Sequence, residues 1–287
     1  MMYKVSPVIV AIALLVGITG NGLLLTIFVR HKETRTPANT MLINLTVVDL
    51  ISLVLNLLLD YLNVIIEWQF GWLSCKVFRF FTNTVFAVST YSVSMISFQR
   101  FMAVTQVPSR TCYNQPQKPK YVLIATVWCV GCLLSFPHAI TGQIENNKCD
   151  SNSIELYTSD LITVCVVPLL ITVTFSGLTA YRIRRSAREI PEEATGQQQL
   201  KHNRIVSSNV LFALTVLFVV SYTPYFLYNF LREVVGISIT LWEKCLVKTI
   251  TYNLRFVNCC FNPIVLFVLN KQYRGYIKRC CGQRHSN

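Results

Sequence analysis

The chain has 287 residues, 53% hydrophobic and only 14% charged, against about 25% charged in an average soluble domain. Its formal net charge is +13, and it holds eleven cysteines. So little charge with repeated long apolar runs excludes an ordinary soluble domain, and basic residues clustered in alternate loops point to membrane orientation rather than nucleic acid.

A membrane-spanning helix needs about 20 mainly apolar residues. Seven stretches meet that need: residues 6–29, 40–66, 75–107, 121–140, 161–181, 205–231 and 246–269. The first lacks a cleavable signal pattern and is closed by Arg30, His31, Lys32 and Arg35. The second carries Asp49 and ends near Asp60 and Glu67. The third opens at Cys75, stays almost uncharged from Phe80 to Gln99, and ends at Arg100 before a basic loop. The fourth holds Trp128 and a late Pro137, and an acidic loop with Glu145, Asp150, Glu155 and Asp160 follows it. The fifth, with Pro168, runs into Arg182, Arg184, Arg185 and Arg188. Residues 189–199, with Pro191, Gly196 and three glutamines, read as a flexible linker. The sixth and seventh contain Pro224 and Pro263. A basic amphipathic helix is expected over 271–281.

The expected fold is therefore all-α: one seven-transmembrane helix bundle with a short cytoplasmic amphipathic helix. Loops after the first, third, fifth and seventh spans are basic, which puts the N-terminus outside and the C-terminus inside. No internal repeat suggests a transporter built from duplicated halves. His31, His138, His202 and His285 fall mostly in loops, no Ser/His/Asp set shares a depth, and no glycine-rich phosphate loop is present, so an enzyme is not expected.

Asp49 is a carboxylate deep in an apolar span, and such groups are functional by default. Asn21, Ser89, Asn258 and Asn262 lie at comparable depth. One charge with several neutral oxygens suits a small hard cation, and sodium is the abundant one outside cells. Cys75 and Cys149 both fall on the oxidising outer side, where a bridge is permitted. Cys245 is also placed outside, either free or paired between chains. Arg100 reads either as a snorkelling interface residue or as a docking point for a cytoplasmic partner. Cys280 and Cys281 follow the basic run and are either palmitoylated or free thiols. Arg255, inside the seventh span, needs a counter-charge, supplied by Asp60 or by an anionic ligand group. With Arg79, Arg232 and Lys248 it makes either a basic outer cavity or a set of exposed loop-proximal charges.

Taken together, these residues resemble the rhodopsin-like (class A) G-protein-coupled receptors along nearly the whole chain. Gly20-Asn21 is similar to the first-helix signature of that family, and Asn44 to Leu50 to its second-helix motif with the sodium-site aspartate. Cys75 and Cys149 match its disulfide, and Gln99-Arg100-Phe101 stands at its Asp-Arg-Tyr position. Trp128, Pro168, Pro224 and Asn262-Pro263 match its remaining helix landmarks. The pattern looks most like peptide receptors, with faint similarity to the bombesin and endothelin group.

The resemblance implies a plasma-membrane receptor passing a signal from an extracellular, peptide ligand to heterotrimeric G proteins, with arrestin and membrane lipid as further partners. It implies an allosteric sodium pocket at Asp49, Asn21, Ser89, Asn258 and Asn262, with no other cofactor. Activation would run through Gln99, Arg100, Phe218, Tyr222, Pro224, Pro263 and Leu266. Ligand-cavity candidates are Asp60, Arg79, Thr82, Arg232, Lys248, Tyr252 and Arg255. Thr82 stands where amine receptors keep an aspartate, and Phe256 where retinal proteins keep a lysine. The departures are Gln99 for the acid beside the arginine, Ser221 and Tyr222 for the cysteine and tryptophan of the sixth helix, and Leu266 and Ser176 for two tyrosines. They motivate an alternative: a scavenger, decoy or arrestin-biased receptor without G-protein signalling. Few residues precede the first span, and no Asn-x-Ser/Thr sequon lies in the expected outer parts. Either the ligand is then recognised mainly in the helical cavity, or more chain belongs in front.

Overall fold

The structure is a computed structural model that describes residues 7–36, 39–105, 119–151, 153–189, 195–238 and 240–282. Its first helix, α1, is Pro7–Arg30, and a short 3-10 turn, Lys32–Thr34, follows. α2 has three consecutive stretches: Thr40–Ser52, a π-helical Leu53–Leu59, and Asp60–Ile65. α3 is Gly71–Thr105 and α4 is Pro119–Thr141. A hairpin of β1 (Gln143–Glu145) and β2 (Lys148–Asp150) comes next, antiparallel with Ile144 opposite Cys149. Its turn places Asn146 and Asn147 at positive φ, a conformation asparagine tolerates well.

α5 joins Ile154–Asp160, a π-helical Leu161–Val166, and Val167–Glu189. α6 joins Thr195–Asn229 to a π-helical Phe230–Val234. α7 is Leu241–Leu269, and α8 is Lys271–Gly282. The start of α7 is fixed by a capping box between Thr240 and Glu243. The hydrogen bonds from Thr240 hold the Glu243 carboxyl below its ordinary value.

Two expectations change. Glu155 and Asp160 belong to the outer turns of α5 rather than to a loop, because Ser153 caps that helix by accepting from the Leu156 N–H. The expected linker over 189–199 is helical at both ends, at Glu189 and from Thr195 onward. Glutamine-rich segments are good helix formers, and the helix simply continues past the apolar run.

Among the described residues, six helices are long and apolar enough to cross a membrane. α3 is longer than most of them but falls short on composition, since its middle carries Thr82, Thr84, Ser89, Thr90, Ser92, Ser94 and Ser97. It can be polar because it is central: it packs against α2, α4, α5 and α6. Its hydroxyls turn back onto the helix's own carbonyls, as Ser92 does to Val88 at 2.7 Å and Ser97 to Val93 at 3.2 Å. Others bridge to neighbours. Asn44 of α2 donates to Ser92 at 2.9 Å and accepts from the Trp128 indole of α4 at 3.0 Å, tying three helices at one level. Ser94 meets Thr172 of α5 at 3.0 Å. α4 comes close to α3 at Gly131, where an added Cβ would lie 2.6 Å from the Val88 side chain. Large apolar side chains such as Leu15, Leu133, Leu170 and Phe212 face outward, as lipid contact requires.

Candidate functional site: an outer cavity joined to a buried polar network

The end of the bundle at which α3 begins, called the outer end after the orientation expected from the loop charges, is closed by the hairpin. Cys75 at the start of α3 is bonded to Cys149 of β2. Asn63 of α2 clamps the same residue twice, donating to the Cys149 carbonyl at 2.8 Å and accepting from its N–H at 3.1 Å. The Trp68 N–H donates to the Asn147 carbonyl at 2.8 Å, and Lys148 reaches the Ile66 carbonyl at 2.9 Å. Arg79 lies beneath, 3.2 Å from Asp60, 3.6 Å from Asp150, and hydrogen-bonded to the Cys149 carbonyl.

Below the hairpin is a cavity of about 90 Å³ whose wall includes Asp60, Arg79, Thr82, Phe86, Tyr225 and Arg255. A smaller adjoining space of about 40 Å³ shares Phe86, Tyr225 and Arg255 and adds Phe226. Of the expected cavity residues, Asp60, Arg79, Thr82 and Arg255 line this space. Tyr252 stands behind it, donating to Asp60 at 2.7 Å, and Arg232 is paired with its neighbour Glu233 at 3.2 Å. Lys248 does not line it. The cavity is not simply basic, because Asp60, Asp150 and Asp160 also face it. Nor does Asp60 pair with Arg255 as one reading had it: its two oxygens are taken by Arg79 and Tyr252. His138 and Asp160, 3.1 Å apart, complete the wall.

Phe86 is the floor, and it rests edge-on against Tyr222 with ring centroids 4.9 Å apart. Tyr222 is almost fully buried and also packs on Phe218 at 5.1 Å. Its hydroxyl accepts from Asn258 at 3.2 Å. Deeper still, Asp49 is fully buried, with one oxygen 3.3 Å from Ser89 Oγ and the other accepting from Asn262 at 2.8 Å. Asn21 does not bond Asp49; its amide donates to the carbonyls of Gly17 and Cys259. The amide oxygens of Asn21, Asn258 and Asn262 are all buried with no hydrogen-bond partner, as is the Ser221 hydroxyl. The five residues expected to form an ion pocket are thus polar, buried and at one level of the bundle, but only Ser89 and Asn262 touch the aspartate.

At the inner end, Arg100 donates to Asn39 Oδ1 at 3.3 Å. Gln99 offers nothing in exchange, since its buried side-chain oxygen has no partner. Asn39 is held from behind by its own bond to the Thr34 carbonyl at 2.9 Å. α8 folds beneath α1, with Tyr273 edge-on to Phe28 at 6.0 Å and Tyr276 against His31 at 4.6 Å. Burial pushes the Tyr273 phenol up to about 12, so it faces Arg100 as a neutral hydroxyl. Leu266 is buried, and Ser176 bonds Thr215 of α6 at 3.0 Å. The side chains of Cys245, Cys280 and Cys281 lie outside those described.

Sequence reasoning missed Asn39, Asn63, Phe86, Tyr225, His138 and Asp160. Asparagines at helix ends and aromatics inside apolar spans carry no periodic signal, and only the packing reveals them.

Residues 20–266 match the profile of the 7 transmembrane receptor (rhodopsin family). The guinea pig (Cavia porcellus) neuromedin-K receptor is 28% identical over 288 residues, covering 92% of this chain and 62% of the relative. The Drosophila melanogaster tachykinin-like peptides receptor 86C is 24% identical, covering 96% and 58%. The human (Homo sapiens) atypical chemokine receptor 4 is also 24% identical, covering 95% and 78%. The chain thus spans about three fifths of the length of the first two relatives. Seven helices in the expected order, the bond from α3 to the hairpin, and a profile match over most of the length establish that the chain belongs to the rhodopsin family of seven-transmembrane receptors, a multi-pass membrane family.

Proposed function

We propose that this chain receives an extracellular peptide and couples it to heterotrimeric G proteins, with its N-terminus outside the plasma membrane and its C-terminus in the cytoplasm. The observation that carries the reading is the continuity from Phe86 to Tyr222 to Asn258, which joins the floor of the outer cavity to the polar network of the bundle. A ligand pressing on Phe86 moves Tyr222, two residues from Pro224, where α6 lacks one backbone bond and can bend. The peptide class is supported by the relatives named for neuromedin-K and tachykinin-like peptides. Arg100 then leaves Asn39 and meets the G protein.

Sodium fits the central network. Asp49 supplies the charge, and three unpartnered amide oxygens and the Ser221 hydroxyl are hard neutral donors with nothing else to bind. An ion there would neutralise Asp49 and hold α2, α3 and α7 together.

A second reading is favoured by the likeness to atypical chemokine receptor 4 together with Gln99 and Leu266: a receptor that binds and recruits arrestin without activating G protein. The two are separated by measuring G-protein nucleotide exchange and arrestin recruitment in parallel, with and without a peptide library. Exchange that is lost in Arg100→Ala supports coupling. Arrestin recruitment with no exchange at any peptide concentration supports the second reading and sinks the first.

A further inference from the structure

We propose that Arg255 is the seat of a carboxylate at the inner end of the ligand. This rests on the receptor reading above and adds the chemistry of what is received.

Arg255 projects from the middle of α7 into the outer cavity. Its guanidinium lies over the ring of Tyr225 at 4.0 Å and near that of Tyr252 at 4.7 Å, with Phe86 and Phe256 at 5.3 and 5.5 Å. Those rings stabilise the flat faces of the cation. They do nothing for its edge, where five N–H donors lie in one plane. Among the described residues no carboxylate comes within ion-pair distance of Arg255, and its Nε is sealed from solvent with no acceptor.

The carboxylates nearby are already held. Asp60 takes Arg79 on one oxygen and the Tyr252 hydroxyl on the other. Asp150 faces Arg79 and accepts from the Ser151 N–H, and Asp160 faces His138.

A half-buried cation whose sealed Nε has no acceptor is costly, and its planar fork matches one shape well: a carboxylate bound by two parallel hydrogen bonds. The space in front is about 90 Å³ with Phe86 and Tyr225 in its wall, room for a small charged group on an apolar stem rather than for a folded chain. Arg79 is not an equivalent seat, because two aspartates and a backbone carbonyl already surround it.

A carboxylate of this kind comes either from the free C-terminus of a peptide or from an acidic side chain. Two matched probe pairs distinguish them. N-acetylphenylalanine against its amide presents a terminal carboxylate. N-acetylglutamate α-methylamide against the glutamine counterpart presents a side-chain one. Binding to the purified full chain in lipid nanodiscs is read from the concentration dependence of the thermal midpoint. One acid is expected to bind about tenfold tighter than its amide, and which pair shows it names the source. Arg255→Gln should bring that ratio close to unity, and Arg255→Lys should keep the preference at a reduced ratio. Acid and amide binding alike in both pairs, including no shift up to the solubility limit, overturns the proposal, as does an undiminished ratio in Arg255→Gln. Should that variant not fold, the native pairs and Arg255→Lys decide, and a ratio unchanged in Arg255→Lys counts against it. The assay needs no signalling. Acid selectivity without G-protein exchange would sink the coupling reading alone, and exchange without acid selectivity would sink this one alone.

Discussion

Arg100 donates its hydrogen bond to Asn39, 3.3 Å away at the start of α2, and not to the residue beside it. Gln99 cannot hold a cation as an acid would, and the asparagine amide takes over part of that restraint. A neutral acceptor is worth less than a carboxylate, so under the proposed coupling the resting arrangement is expected to be held more loosely. Asn39→Ala removes the bond. At about 1 kcal/mol this is expected to raise ligand-free G-protein exchange about fivefold in membranes. Unchanged basal exchange in a chain that otherwise couples would show that Asn39 does not restrain Arg100.

The central network should respond to sodium. Replacing N-methylglucamine by sodium at constant ionic strength is expected to raise the thermal midpoint, because an ion that binds only the folded chain stabilises it. Asp49→Asn keeps the shape and removes the charge, and its midpoint should not move with sodium. A sodium response of full size in Asp49→Asn would exclude the aspartate as the ligand.

Tyr222→Phe tests the joint between cavity and network. The ring contacts with Phe86 and Phe218 survive, but Asn258 loses the acceptor of its N–H. Leaving a buried donor unpaired costs about 1–3 kcal/mol, and the loss should appear as a lowered midpoint. A variant as stable as the parent would mean that another acceptor stands ready.

Asn63 is expected to matter out of proportion to its size, since it bonds both backbone groups of Cys149. Asn63→Ala should speed hydrogen exchange at the Cys149 amide by about tenfold or more, as expected for a buried bond worth over about 1 kcal/mol. Asn63→Asp keeps an acceptor and should retain most of the protection. Equal exchange in all three chains would show that the disulfide alone seats the hairpin.

Two glycines should respond with opposite signs. Gly131→Ala drives a Cβ to within 2.6 Å of Val88, and is expected to cost about 1–3 kcal/mol as α4 is pushed off α3. Gly177→Ala meets nothing within 4 Å and should gain up to about 1 kcal/mol of helix stability. Chemical denaturation of both in the same lipid gives the comparison.

Most of the helices were legible in the sequence because lipid forces a long apolar run on a span it surrounds, while α3, with its polar middle, was legible from its long uncharged stretch. What was not legible is who touches whom. Asp60 and Arg255 share a depth, yet Asp60 is spent on Arg79 and Tyr252. Asn21 and Asp49 share a level, yet no bond joins them. Sequence gives the height of a charged group in a bundle, whereas the partner depends on helix rotation, and neighbouring spans constrain that only through packing. The early start of α5 was hidden for a similar reason: Glu155 and Asp160 look like loop residues until Ser153 is seen to cap the helix that carries them.

The polar middle of α3 has a consequence for how the molecule is made. Several of its hydroxyls find partners on α2 and α5, as Ser92 does on Asn44 and Ser94 on Thr172, so the helix is at home in the finished bundle but is a poor substrate for partition into lipid on its own. It is expected to leave the translocon together with a neighbour, and α4, which meets it closely at Gly131, is the natural companion. The helix that organises the folded receptor is then the one whose integration waits on the others.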